Sequence, residues 1–257
     1  MENTTLKVMT FNVRVDVAHD GINSFTNRFD KVLDTVKKEM PDVVGFQEVT
    51  EKMRHRIVEN LSGYTFQGCG READCHGETM LVAYKTADAE LISLDNIWLS
   101  PTPHVPGSTF GGDQSPYPRM LTTLLLKHRN VSEPFRLINT HLDHRGKDAR
   151  YLGAMEILRL ISGYKERFIL IGDFNAFPDS PEIKLITSEL GKRGAIDCTE
   201  GLEGTFHGFG KLSGDARQKI DYIFTDFSCQ KAYLVEDAPI DGQYYSDHNA
   251  VCALLKP

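Results

Sequence analysis

Side chains able to activate water or hold a cation fall in five short clusters: Phe11-Asn12, Gln47-Glu48, Asn139-Thr140-His141, Gly172-Asp173-Phe174-Asn175 and Ser246-Asp247-His248. A carboxylate taken out of water is costly unless it is paired or bound to a cation, so clusters that converge on one place ask for a cation there. Glu48, Asp173, Asn175 and Asp247, with Asn12 nearby, offer mostly hard oxygen donors, which suit Mg²⁺ or Mn²⁺ better than Zn²⁺. His141 and His248 are then free for phosphate contact or proton transfer. Attack of hydroxide on a phosphodiester or phosphomonoester needs a metal to lower the water pKa and neutralise charge. It also needs groups that hold the water in line and stabilise the transition state. The inventory fits a metal-dependent phosphoesterase.

The elements that must bring these clusters together are strands. Apolar runs predict strands over Leu6 to Val13, Val43 to Glu48, Glu78 to Tyr84, Ala89 to Leu99, Met120 to His128, Phe135 to His141, Phe168 to Gly172, Lys219 to Phe224, Ala232 to Val235 and Ala250 to Leu255. The polar clusters fall at or just beyond the ends of five of these, so they can meet on one edge of a two-sheet sandwich. Apolar stripes predict helices over Arg28 to Met40, stopped by Pro41, and over Lys147 to Ser162. Shorter helices are expected over Thr50 to Leu61 and Ser180 to Leu190, the latter opened by Ser180-Pro181. Ser100 to Arg119, rich in Pro and Gly, reads as a long functional loop.

The chain of 257 residues is 40% hydrophobic and 25% charged, and no linker or repeat interrupts it, so one domain over 1–257 is expected. A net charge of -7 argues against a protein that grips long duplex through many phosphates. It allows a small or single-stranded phosphorylated substrate, a nucleotide included, because bound cations can reverse the polarity of a site. No run of about 18 apolar residues suggests a membrane span, and the opening Met1 to Thr5 leads to Leu6 without a signal-peptide pattern. With five cysteines, an odd number, a cytoplasmic setting is expected, and no obligate protein partner is evident.

The ordered set Phe11-Asn12, Gln47-Glu48, Asn139-Thr140-His141-Leu142, Gly172-Asp173-Phe174-Asn175, Ile220-Asp221-Tyr222 and Ser246-Asp247-His248 resembles the endonuclease/exonuclease/phosphatase (DNase I-like) superfamily over residues 6 to 255. That resemblance implies an α/β fold, a four-layer α/β/β/α sandwich with the active site between the sheets. It implies that Glu48 is the main metal-binding glutamate, that Asn12 supports the metal–water network, and that Asp247 is a second metal-associated carboxylate. Asp173 would orient or deprotonate the attacking water, and Asn175 would hold a phosphate oxygen or the water. His141 would donate to a phosphoryl oxygen, and Asp221 would fix and charge His248. Which group helps the leaving group stays open.

Thr140-His141-Leu142-Asp143-His144 followed by Arg150, the segment Asn23 to Arg28, Gly204 to Phe209, and Pro106-Gly107-Ser108 leading to Arg119 are similar to a bacterial branch near the deadenylase and nocturnin-like members. Phe110 and Met120 stand where that branch carries an aromatic residue, often Trp, and an aliphatic one. The inositol polyphosphate 5-phosphatase branch fits less well, since Ile220-Asp221-Tyr222 replaces its Cys-Asp-Arg. The likeness favours a nuclease or nucleotide phosphatase, with a phospholipid or sugar-phosphate hydrolase or a catalytically silent binding module as alternatives. A silent module should lack one of Glu48, Asp173, Asn175, Asp221, Asp247 or His248, and all are present.

Arg28, Arg119, Arg150 and His144 are candidate substrate contacts, a guanidinium being well shaped for a phosphate. Cys69, Cys75 and His76 lie close enough for a metal knuckle but lack a fourth ligand, so a structural reading is preferred. Phe206 and Phe209 could form a stacking platform at the cleft rim.

Overall fold

The computed structural model describes residues 5–257; residues 1–4, the start of the expected single domain, lie outside it. Twelve strands and four α-helices follow one another among the described residues: β1 (Leu6–Asn12), α1 (Phe25–Glu39), β2 (Val43–Val49), α2 (Glu51–Asn60), β3 (Tyr64–Gln67), β4 (Thr79–Lys85), β5 (Ala89–Trp98), β6 (Met120–His128), β7 (Phe135–His141), α3 (Lys147–Gly163), β8 (Arg167–Asp173), α4 (Pro181–Gly191), β9 (Ile196–Asp197), β10 (Asp221–Thr225), β11 (Ser228–Val235) and β12 (Ala250–Lys256). They form two six-stranded sheets, in the orders β11-β12-β1-β2-β4-β3 and β5-β6-β7-β8-β10-β9.

The layering follows from alternation along strands that are buried on both faces. Leu6 and Val8 of β1 join Ile169 and Ile171 of β8 and Val251 and Ala253 of β12 in a core between the sheets. The intervening Met9 and Phe11 pack outward under α1 and α2, with Phe29, Val32 and Met53. Phe168 and Leu170 of β8 pack outward under α3 and α4, with Ile157 and Ile186. Double burial is why these strands read as continuous apolar runs. The result is the expected α/β/β/α sandwich.

Each sheet has one parallel pair, β1 with β2 and β7 with β8. A parallel pair requires a crossover, and the crossovers are α1 and α3. Beneath the polar edge the sheets approach closely: a Cβ on Gly45 would lie 2.6 Å from Ile171 Cδ1 and 2.7 Å from Asn139 Cγ of the facing sheet. Gln47 Nε2 donates to Asn139 Oδ1 at 2.7 Å, and Asn139 Nδ2 donates to the Phe46 carbonyl at 3.0 Å. The two amides thus fasten sheet to sheet directly under the clusters.

Candidate active site

The four strands of the two parallel pairs end at one edge, and their last residues form the site. β1 ends on Asn12, β7 on His141 and β8 on Asp173, while Glu48 is the penultimate residue of β2. Glu48 sits where the β2–β4 register slips between Phe46 and Val49, and it has φ +63. That left-handed backbone is disfavoured for a residue with a Cβ, and such strain gathers at functional sites. Asn175, with φ +47, shares the feature. Its backbone N–H donates to Asp173 Oδ1 at 2.8 Å, an Asx-type turn that fixes the carboxylate.

Asn12 is the bridge. Its Nδ2 donates to Glu48 Oε1 at 3.0 Å and to Asp173 Oδ2 at 2.9 Å, while its Oδ1 accepts from the Arg14 N–H at 2.9 Å. Glu48 Oε2 also accepts from the Val15 N–H at 2.8 Å. Burial disfavours the Glu48 carboxylate, yet these two donors and Arg14 hold it below the usual carboxylate range. Asp247 is raised, first by burial and also by the nearby charge of Glu48, while Arg14 Nε lies 3.7 Å from its Oδ2.

Asp221 pairs directly across from Asp173 in the β8–β10 ladder, a like-charge juxtaposition that needs a cation. His248 supplies it: its Nδ1 lies 2.8 Å from Asp221 Oδ2 and its Nε2 lies 3.8 Å from Asp173 Oδ2. Burial opposes the imidazolium, but Asp221, with Asp173 and Asp247, lifts it to about 10. Asp173 is pushed up to about 7 by burial and by Asp221. His141 behaves oppositely, driven well below its ordinary value by burial and then by Arg119 and Arg71. Its Nε2 lies 2.9 Å from Asn175 Nδ2 and 3.4 Å from Asp173 Oδ2.

At this site, two sets of side chains could hold a divalent cation. Glu48 and Asp247 both line the cleft, and the charge of Glu48 raises Asp247; two like-charged hard oxygen donors fit such an ion. Asp173, Asp221 and His248 also place ligand atoms within 4.8 Å of one another, but His248 Nδ1 is already bonded to Asp221. The first arrangement is the better match to Mg²⁺ or Mn²⁺, which take oxygen ligands.

The model of the endonuclease/exonuclease/phosphatase family matches residues 9–248. The chain belongs to that family. Among solved structures, the endonuclease/exonuclease/phosphatase from Bacteroides vulgatus is 28% identical with a TM-score of 0.90, covering 98% of each chain. A mannosyl-6-phosphatase of Bacteroides thetaiotaomicron is 26% identical with a TM-score of 0.86, covering 97% of this chain and 99% of its own. The human nocturnin catalytic domain, 18% identical with a TM-score of 0.75 over 98% of this chain and 93% of its own, shares the fold. Family membership supports phosphoester hydrolysis.

Around the family's motif residues opens a cleft of about 880 Å³. Glu48, His141, Asp173, Asn175, Asp247 and His248 line it; Asn12 and Asp221 stand behind them, joined by the hydrogen bonds above. Arg119 and His144 also line it. Arg28 and Arg150, the other two arginines expected to contact substrate, are not among its lining residues. Arg28 is fully buried, and its guanidinium donates to the carbonyls of Asn23, Tyr245 and Arg14, tying together the segments that carry Arg14 and Asp247. Arg150 Nε donates to Glu182 Oε1 at 2.7 Å and its Nη1 to the Asp143 carbonyl at 3.0 Å, joining α3 to α4.

Arg14, Arg71, Glu78 and Tyr117 line the cleft without having been singled out from the sequence. Arg14 lies two residues beyond Asn12, which was an available signal. Arg71 and Glu78 bracket the Cys75-His76 segment, where Cys75 is exposed and His76 Nδ1 lies 3.1 Å from Glu51 Oε2. Phe206 lines the cleft edge-on to the His248 ring at 5.0 Å, and Phe209, also lining it, has φ +57. Phe110 packs instead against the core under α3 and α4.

Proposed function

We propose that this protein is a Mg²⁺- or Mn²⁺-dependent phosphatase acting on a small phosphorylated substrate, with a sugar phosphate or nucleotide favoured over a polynucleotide. The observation that carries the chemistry is the Asn12 amide bridging Glu48 and Asp173, with the Asp221–His248 pair alongside. Glu48 and Asp247 would hold the cation. When bound, it would neutralise phosphoryl charge and charge developing on the leaving oxygen.

Asp173, whose proton affinity lies near neutrality, takes the proton of the attacking water as oxygen bonds to phosphorus and the ester P–O bond breaks. Asn12 keeps the Asp173 carboxylate facing the water. His248, kept cationic by Asp221, meets the charge building on the non-bridging phosphoryl oxygens, and Asn175 and neutral His141 frame the same group.

The substrate class rests on size, charge and likeness. A cleft of about 880 Å³ is in the range that encloses one small molecule, and a chain of net charge -7 is poorly suited to a long polyanion. The 26%-identical mannosyl-6-phosphatase supports the sugar-phosphate reading. The test is phosphate release from mannose 6-phosphate, glucose 6-phosphate, AMP and oligo(A) with Mg²⁺, Mn²⁺ or EDTA. Release from the monophosphates that EDTA abolishes is expected; turnover confined to oligo(A) would reject the small-substrate reading.

A further inference from the structure

One wall of the cleft holds two nearly buried guanidiniums, each with a carboxylate partner and each with an N–H that meets no protein acceptor among the described residues. Arg71 and Arg119 both line the cleft, although their side chains are only 5% and 6% exposed. Arg71 is held by Glu78, with Nη1 to Oε2 at 2.8 Å and Nη2 to Oε1 at 3.0 Å, and the Tyr117 ring lies 4.7 Å from its guanidinium. Its Nε is buried with no hydrogen-bond partner, the nearest carboxylate oxygen of Glu72 being 3.7 Å away. Arg119 donates from Nε to Asp143 at 3.3 Å and from Nη2 to His144 Nδ1 at 2.8 Å; among the described residues no protein acceptor meets its Nη1.

The Arg119–His144 contact fixes the state of the histidine. A guanidinium has no acceptor, so His144 Nδ1 must accept, and its proton then sits on Nε2. His144 is exposed and lines the cleft, which leaves that Nε2–H available to a ligand. Burial and then the Arg71 charge disfavour the Arg119 cation, and Asp143 and Glu78 offset this only in part. Like charges buried together in a cleft are relieved by an anion set against both. No hydrogen bond or ion pair among the described residues joins this wall to Asn12, Glu48, Asp173 or His248.

We infer that Arg71, Arg119 and His144 form a second anion subsite, so that the preferred substrate carries, besides the scissile phosphate, another anionic group, a phosphate or a carboxylate. The inference rests on the phosphatase reading of the neighbouring centre. Arg71, Arg119 and His144 are positioned to bind that distal group; the centre under Asn12 acts on the phosphoryl group that leaves.

The experiment compares three ligands of one sugar size: glucose 6-phosphate, glucose 1,6-bisphosphate and 6-phosphogluconate. Their hydrolysis with Mg²⁺ is measured, and their dissociation constants are taken by calorimetry on Asp173→Asn protein. The bisphosphate, the phosphogluconate or both are expected to bind at least tenfold more tightly than the monophosphate, and which does so tells phosphate from carboxylate. Arg71→Met and the exposed His144→Ala are expected to erode that preference toward unity, with folding checked by thermal melting. Equal affinity for all three in the Asp173→Asn protein, or equal losses for ligands with one and with two anionic groups when His144→Ala is added, would overturn the subsite. A binding preference without metal-dependent hydrolysis of any ligand would instead sink the phosphatase reading and leave the subsite standing.

Discussion

Glu48 has a left-handed backbone, two donors on its carboxylate and a place in the cleft, a combination that packing alone does not require. Glu48→Gln keeps the shape and removes the charge, so the expected result is loss of metal-stimulated turnover by roughly 10²-fold or more with an unchanged melting temperature. Retained turnover, measured by phosphate release across a Mg²⁺ titration, would refute the cation role. His248 carries the second residue-level test. Its raised pKa means that the imidazolium and the stability linked to it are present below the ordinary histidine value and are lost as pH rises through about 10. Asp221→Asn removes the charge that supports the cation, so the alkaline fall of kcat is expected to move to lower pH; a fall at the same pH would separate Asp221 from His248 in function.

At the scale of the elements, the strand ends carry the site and the segments behind them hold it. Asp143, just after β7, is buried, and burial resists its ionisation. The Ser115 hydroxyl, the N–H groups of Gly146 and Arg145 and the Arg119 guanidinium nonetheless hold it well below the carboxylate range. A depressed folded pKa gives stability that is present above about pH 4 and lost as pH falls further. Asp143→Asn should therefore cost about 2 kcal/mol or more at pH 7 and flatten the acid side of the stability profile, as read by urea unfolding from pH 3 to 7. Gly45→Ala should cost about 1–3 kcal/mol by forcing its Cβ against Ile171 and Asn139 of the other sheet; an unchanged urea midpoint would show that the sheets yield there.

Most strands legible in the sequence are buried on both faces, such as Phe135 to His141 and Ala250 to Leu255, which read as nearly unbroken apolar runs; β5, half-exposed, was legible by its length. Those the sequence hid are short or half-exposed. β3 has four half-buried residues, β9 is two residues long, and β11 begins at Ser228 rather than Ala232, its first half being mostly exposed. α1 starts at Phe25, three residues before the apolar stripe suggested, and ends at Glu39, capped by Met40 in the left-handed conformation. The site followed the same logic. Residues at strand ends within ordered motifs, from Asn12 to His248, came together as expected in space. Arginines were not separable by sequence, since Arg28 and Arg150 serve carbonyls and Glu182 while Arg71, in a loop with no motif, faces the cleft.

The molecule as a whole sets what can reach the centre. Its parallel pairs direct four strand ends to one edge, where motif side chains from both sheets line one cleft of about 880 Å³. No helix among the described residues is long and apolar enough to cross a membrane. The most direct measurement is phosphate release from mannose 6-phosphate and glucose 6-phosphate by the unmutated protein and by Asp173→Ala, each with Mg²⁺ and with EDTA. Turnover with Mg²⁺ in the unmutated protein, abolished by EDTA and reduced at least 10²-fold in Asp173→Ala, is the expected result. Release that survives EDTA, or that Asp173→Ala leaves intact, would contradict a cation-assisted hydrolysis centred on Asn12, Glu48 and Asp173.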